Sequence, residues 1–135
     1  SCVLQPSCAG SENRGEDPGV GSEDDLHTVQ LVRERTTTLI AFGDCAVTSN
    51  VPGMRNPIGT AARFDRAYRE NVALNPMIPD KVVPRLLPTA RPVHRVVTVD
   101  VFLPGCPPSA DLIYNMLDDL LSGRVPDVTA ARFGR

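Results

Sequence analysis

Two apolar runs end in the same way, and this constrains the chain more than any bulk property. Thr38-Leu39-Ile40-Ala41-Phe42 stops at Gly43 and reaches Cys45 two residues later. Val99-Asp100-Val101-Phe102-Leu103-Pro104 stops at Gly105, and Cys106-Pro107-Pro108 follows. Aliphatic and β-branched runs bounded by glycine and proline read as strands. Helical patterns flank both, which predicts parallel strands in an α/β fold. Parallel strands end on one edge of their sheet, and open α/β sheets take ligands there. Two thiols delivered to that edge, at positions 45 and 106, suit metal ligation better than packing.

The helical patterns are specific. Ser22 is a good N-cap for a helix over 22–35, with Glu23, Asp24 and Asp25 in its first turn and Arg33 and Arg35 in its last. Leu26, Val29 and Val32 share one face. A second helix is predicted over 60–71, with Ala61, Phe64, Ala67 and Tyr68 together. A third runs from the N-cap Ser109 to Ser122. Leu112, Ile113, Met116, Leu117, Leu120 and Leu121 form its apolar stripe, and Gly123 closes it.

The rest reads as irregular. Residues 1–21 show no period and are predicted to be a loop-like arm, leaving 22–135 as one domain. Residues 46–57 hold too much Pro, Gly and Asn for regular structure. Residues 75–92 form a proline-punctuated loop, and a loop that long is usually functional or lies against a partner. The second strand is predicted over 95–103. Two strands are too few for a free-standing parallel sheet, so either further strands hide in the loops or part of the fold is absent.

Composition narrows the function classes. A net charge of −2 gives no general affinity for nucleic acid. No apolar run reaches membrane-spanning length, and the first residues lack the basic-then-apolar order of an export signal. A cytoplasmic location follows as an expectation. In that compartment four cysteines are metal ligands or free thiols more often than disulfides.

Each candidate residue has a plain reading beside the chemical one. Cys106 sits in a rigid Gly-Cys-Pro-Pro turn before a helix, where thiolate character is favoured; it can equally be a packing cysteine in a strand-to-helix turn. Cys45, taken alone, reads better as core, and the pair together raises both. Cys2 and Cys8 are spaced C-x5-C, outside the usual zinc and ferredoxin spacings. His94 reads as a satisfied loop residue and His27 as solvated. Arg63, Arg66 and Arg69 make a solvated basic strip or a protein contact. No phosphate loop, dinucleotide fingerprint, serine elbow or zinc-protease motif is present, and no residue reads as catalytic.

Gly43-Asp44-Cys45-Ala46-Val47 with Val51-Pro52-Gly53-Met54-Arg55-Asn56 resembles the small subunit of [NiFe] hydrogenases, in the soluble bidirectional NAD-reducing branch. Pro92-Val93-His94-Arg95-Val96-Val97, Leu103-Pro104-Gly105-Cys106-Pro107-Pro108 and Leu120-Leu121-Ser122-Gly123-Arg124 continue the likeness, over roughly 19–128. The PGCPP element is shared with the cluster-bearing subunit of respiratory complex I.

The resemblance implies a flavodoxin-like parallel sheet between helices. It also implies one [4Fe–4S] cluster beside the nickel–iron centre of a separate large subunit. Diaphorase iron–sulfur and flavin subunits are the implied further partners, and FMN is an optional cofactor. By motif, two cluster ligands are Cys45 and Cys106, with Gly43 and Gly105 letting backbone amides approach the sulfurs. The family's other two ligands form a C-x-x-C pair after its first strand, which Cys2 and Cys8 do not match. The resemblance therefore implies an atypical or truncated N-terminus, lacking the usual N-terminal strands. A cluster-free docking module and a complex I-type quinone reductase subunit remain the alternatives.

Overall fold

A computed structural model describes residues 2–4 and 19–134. Its centre is the strand β3, Leu39–Phe42, all four residues of which are buried. Two strands flank it in parallel, β1 (Cys2–Leu4) and β5 (Val101–Leu103), giving a three-stranded sheet with β3 in the middle. Successive side chains of a strand point to opposite faces, and β3 feeds two separate cores accordingly. Leu39 and Ala41 pack with Val20, Val29, Ala46, Val47 and Val93. Ile40 and Phe42 pack with Leu103 and Met116. The chain is thus a mixed α/β fold with a short parallel sheet between helices, the class its sequence predicts.

Helix α1 (Glu23–Arg35) covers the first face. Its start is the one expected. The Ser22 hydroxyl accepts the Asp25 N–H at 3.1 Å, and the Asp25 carboxylate accepts the Ser22 N–H at 2.8 Å. This reciprocal pair satisfies donors that the first helical turn leaves open. Helix α5 (Ala110–Leu121) covers the second face, with Met116 buried and Leu112, Ile113 and Leu120 beside it. Ser109 caps it, and Gly123 follows at φ 72°.

Five segments depart from the sequence reading. The arm predicted over 1–21 contains two strands, β1 and β2 (Val20–Ser22). Three-residue runs carry no readable period, and pairing with a partner strand overrides the local signal. The remaining readings on 5–18, Cys8 among them, lie outside the described residues. The end of the 75–92 loop is β4 (Leu86–Arg91), antiparallel to β2. Pro88 hides this strand from sequence, yet a two-stranded ribbon tolerates proline on its open side.

Residues 46–57, expected to be irregular, include parts of two short helices, α2 (Asp44–Thr48) and α3 (Asn50–Gly53), joined at Ser49 with φ 62°. The second predicted strand shrinks from 95–103 to Val101–Leu103, because Val93–Arg95 forms a 3-10 turn and Val96, Val97 and Val99 fold onto the first core instead. The second predicted helix is α4 (Thr60–Asp65), which widens to a π turn at Arg66–Glu70, with Asn71 donating to the Arg66 carbonyl. Its expected apolar face is not buried in this chain, although Phe64 and Tyr68 touch, their centroids 6.1 Å apart. Arg66 and Arg69 pair with Glu70 and Asp65 on its exposed surface.

Asp100 pins the entry to the sheet. Its Oδ2 accepts the Leu39 N–H at 2.8 Å and pairs with the Arg33 guanidinium. The Leu39 backbone bond first, and Arg33 second, hold its carboxyl below the usual aspartate value. A carboxyl depressed in the folded state stabilises above its unfolded value, and that contribution is lost as pH falls through the folded one. Asp100→Asn should therefore lower the melting temperature at neutral pH. The gap to wild type should close as pH falls below about 4. A constant gap across an acid melting series would remove Asp100 from this role.

Candidate functional site

The site is built where β3 and β5 end. Their ladder continues one step beyond the strands, with the Gly43 N–H donating to the Leu103 carbonyl at 2.7 Å. The chains then part, because α2 begins at Asp44 and β5 runs into Pro104-Gly105. Two bonds still hold them together. The Asp44 N–H donates to the Gly105 carbonyl at 2.9 Å, and the Gly105 N–H donates to Asp44 Oδ1 at 2.6 Å. Each residue of this pair precedes a cysteine. Cys45 and Cys106 therefore leave adjacent, hydrogen-bonded loops on the carboxyl edge of one parallel sheet, as the sequence predicts.

The two cysteines differ in surroundings. Cys45 is 1% exposed, in the first turn of α2, while Cys106 is open to solvent. Neither is in a disulfide. Glycine is required at both turns: Gly43 has φ 84° and Gly105 φ 141°, values that side chains disfavour. The N–H groups of both glycines already donate to protein oxygens. The contribution of the glycines themselves to the edge is therefore backbone shape.

An iron–sulfur cluster of the expected type takes four thiolates. The described residues bring two thiols to one edge, in loops tied to each other, which fits half of that donor set. Among the described residues no group of three or more His, Cys, Asp and Glu forms a metal site. The backbone of Cys2 is at the other end of the sheet, in register with Leu39 rather than with the end of β3. His94 stacks edge-on against Phe102, with centroids 5.8 Å apart, which matches its reading as a satisfied residue.

The sequence reading missed Asp44. It is 3% exposed, and besides the Gly105 N–H it accepts the Gly134 N–H on Oδ2 at 2.7 Å. An aspartate just before a buried cysteine, at a strand-to-helix turn, was the available signal. Arg55, which the sequence offers as a fixed charge toward a partner within 50–57, is buried in the chain instead, where its guanidinium donates to the Gly21 and Leu87 carbonyls and ties the end of α3 to the β2–β4 ribbon.

Comparison with known proteins fits this arrangement. The family model described as NADH ubiquinone oxidoreductase, 20 Kd subunit, matches residues 8–120. The chain belongs to this family. One relative is the NAD-reducing hydrogenase HoxS subunit delta of Cupriavidus necator. It is 38% identical over 120 residues, which span 84% of this chain and 56% of that protein. An iron-sulfur subunit of the F420-non-reducing hydrogenase of Archaeoglobus profundus is 28% identical over 79% of this chain and 37% of its own length. The chain thus spans about half or less of these curated relatives. A chain from the crystal structure of an NAD+-reducing [NiFe]-hydrogenase in the H2-reduced state superposes with a TM-score of 0.78 at 30% identity. That match covers 91% of this chain and 74% of the solved one. The matched span of the 20 Kd subunit family contains β3, β5 and both cysteine loops.

Proposed function

We propose that this chain is the electron-transfer subunit of an NAD-reducing [NiFe] hydrogenase. In this reading Cys45 and Cys106 hold part of a [4Fe–4S] cluster proximal to the nickel–iron site of a large partner subunit. When bound, such a cluster accepts and releases single electrons. The observation that carries the reading is the pair of free thiols on hydrogen-bonded loops at one sheet edge, in a chain similar to hydrogenase subunits. Residues 22–135 would form the iron–sulfur domain, and the cell compartment would be the cytoplasm. Among the described residues no helix is long and apolar enough to cross a membrane.

The chain's own part is to position and to shield. Gly43 and Gly105 give the turns their shape. Cys45 is delivered from a buried helix start, so one side of the site is dry, and low access of water tunes redox centres. Cys106 is presented outward from its Gly-Cys-Pro-Pro turn, toward where a partner would sit.

An exposed apolar surface supports a partner. Val51 and Met54 on and after α3, Ile58 beyond it, and Leu74 and Met77 in the proline-rich segment are all open to solvent, Met54 at 67% and Leu74 at 82%. Where such side chains gather into one patch they mark a protein contact surface, and we infer that these two segments form one. Docking of the large hydrogenase subunit, and of diaphorase iron–sulfur and flavin subunits beyond it, would cover such a surface. Hydrogen exchange at 50–58 and 72–85 should slow when the chain is co-purified with a large hydrogenase subunit. Equal exchange with and without that subunit would remove these segments from the interface. Hydrogen-dependent reduction of NAD by the reconstituted assembly, absent when this chain is omitted, tests the function as a whole.

A further inference from the structure

Asp44 joins three parts of the molecule that are far apart in sequence. Its N–H and its Oδ1 hold Gly105, and its Oδ2 holds Gly134. The carbonyl of Asp44 turns into α2, where the Thr48 hydroxyl donates to it at 2.8 Å. The Gly43 carbonyl, which a regular parallel ladder would offer to the Gly105 N–H, is likewise turned into α2, where it accepts the Val47 N–H at 3.1 Å, and Asp44 Oδ1 stands in for it as acceptor. The ladder is in effect extended by one rung, made by a carboxylate at the point where helix and strand separate. This rung lies immediately before both cysteines.

The third contact brings in the segment that follows α5. Residues after α5 fold back, with Val128 and Ala131 against the Ile40–Phe42–Leu103–Met116 core, and Phe133-Gly134 reaches Asp44. Both carboxylate oxygens are thus filled by backbone N–H donors. A buried carboxylate satisfied twice by backbone is fixed in orientation.

We propose that Asp44 is the positioning residue of the thiolate pair, holding the Cys106 loop in register with Cys45, with the C-terminal segment as the latch that fixes Asp44 itself. This rests on the cluster reading above. It goes beyond that reading by assigning retention of the cluster to a residue that is not a ligand. Groups that orient metal ligands typically change metal retention by about 10–100-fold when removed.

The test uses the full chain, reconstituted anaerobically with iron and sulfide, and follows loss of visible absorption to an iron chelator. Asp44→Ala should lose iron about 10–100-fold faster than wild type. Asp44→Asn keeps the oxygen that Gly105 uses but turns an NH2 group toward the Gly134 N–H, so it should lose iron nearly as fast. Ending the chain at Phe133 in the Asp44→Asn variant removes that clash together with the latch, so it should slow the loss only to the rate of the wild-type chain ended at Phe133, which itself loses iron faster than the full chain. The same truncation in Asp44→Ala should restore nothing. A general fault in folding would not follow this pattern. Wild-type retention in Asp44→Ala, or equal rescue of both variants by truncation, would overturn the assignment while leaving the cluster reading intact. A wild-type chain that takes up no iron and sulfide would overturn both.

Discussion

Cys106→Ala should abolish the visible absorption of the anaerobically purified chain and leave its melting temperature without iron nearly unchanged. The thiol is exposed, so its removal opens no cavity. Surface substitutions away from caps and networks shift stability by about 0.5 kcal/mol or less. Cys45→Ala should also abolish the absorption, and in addition destabilise the metal-free fold, because its side chain is buried. This split separates a ligand role from a packing role. If both variants kept the absorption, neither cysteine would be a ligand. If only Cys45→Ala lost it, together with its fold, Cys106 would be a turn residue alone.

The second large effect concerns the central strand. Ile40 is fully buried and supports one core from the middle of the sheet, packed with Phe42, Leu103 and Met116. Ile40→Ala should cost about 2–5 kcal/mol, the loss of transferred apolar surface plus the cavity left behind. Domains of this size have a total stability of about 5–15 kcal/mol, so the variant should lose a large fraction of it and unfold at a much lower urea concentration. Val51→Ala, on the exposed surface, should shift stability by about 0.5 kcal/mol or less. Urea unfolding midpoints of the two variants measure the difference. A small effect at Ile40 would mean that β3 is not the spine of the fold.

The legible parts of this fold were those with a strong local code. The Ser22 cap, the Leu112, Ile113, Met116 and Leu120 part of the α5 stripe and the two strand–glycine–cysteine endings appear in the structure where the residues put them, whereas Leu117 and Leu121 of that stripe are exposed. The illegible parts depend on long-range partners. Cys2–Leu4 becomes a strand only because Leu39–Ala41 offers hydrogen bonds to it. Leu86–Arg91 is a strand despite Pro88, because β2 pairs with it. Val96, Val97 and Val99 read as strand from β-branching, but they fill the first core instead.

The candidate site follows the same division. Cys45 and Cys106 were visible because each follows a terminated apolar run. Asp44 was not, since one carboxylate before a cysteine carries no period and its partners lie 61 and 90 residues away. The glycines were recognised as turn residues, while the partners of their N–H groups required the geometry.

Acid-labile sulfide decides the central claim most directly, because it reports an iron–sulfur cluster and not a nickel–iron centre in a partner. The chain is purified anaerobically with its large subunit, and sulfide is measured per chain beside the same complex carrying Cys45→Ser and Cys106→Ser together. The account predicts sulfide in stoichiometric amount with the wild-type chain and none attributable to the double variant. Wild-type complex without sulfide, or an unchanged amount in the double variant, would contradict it.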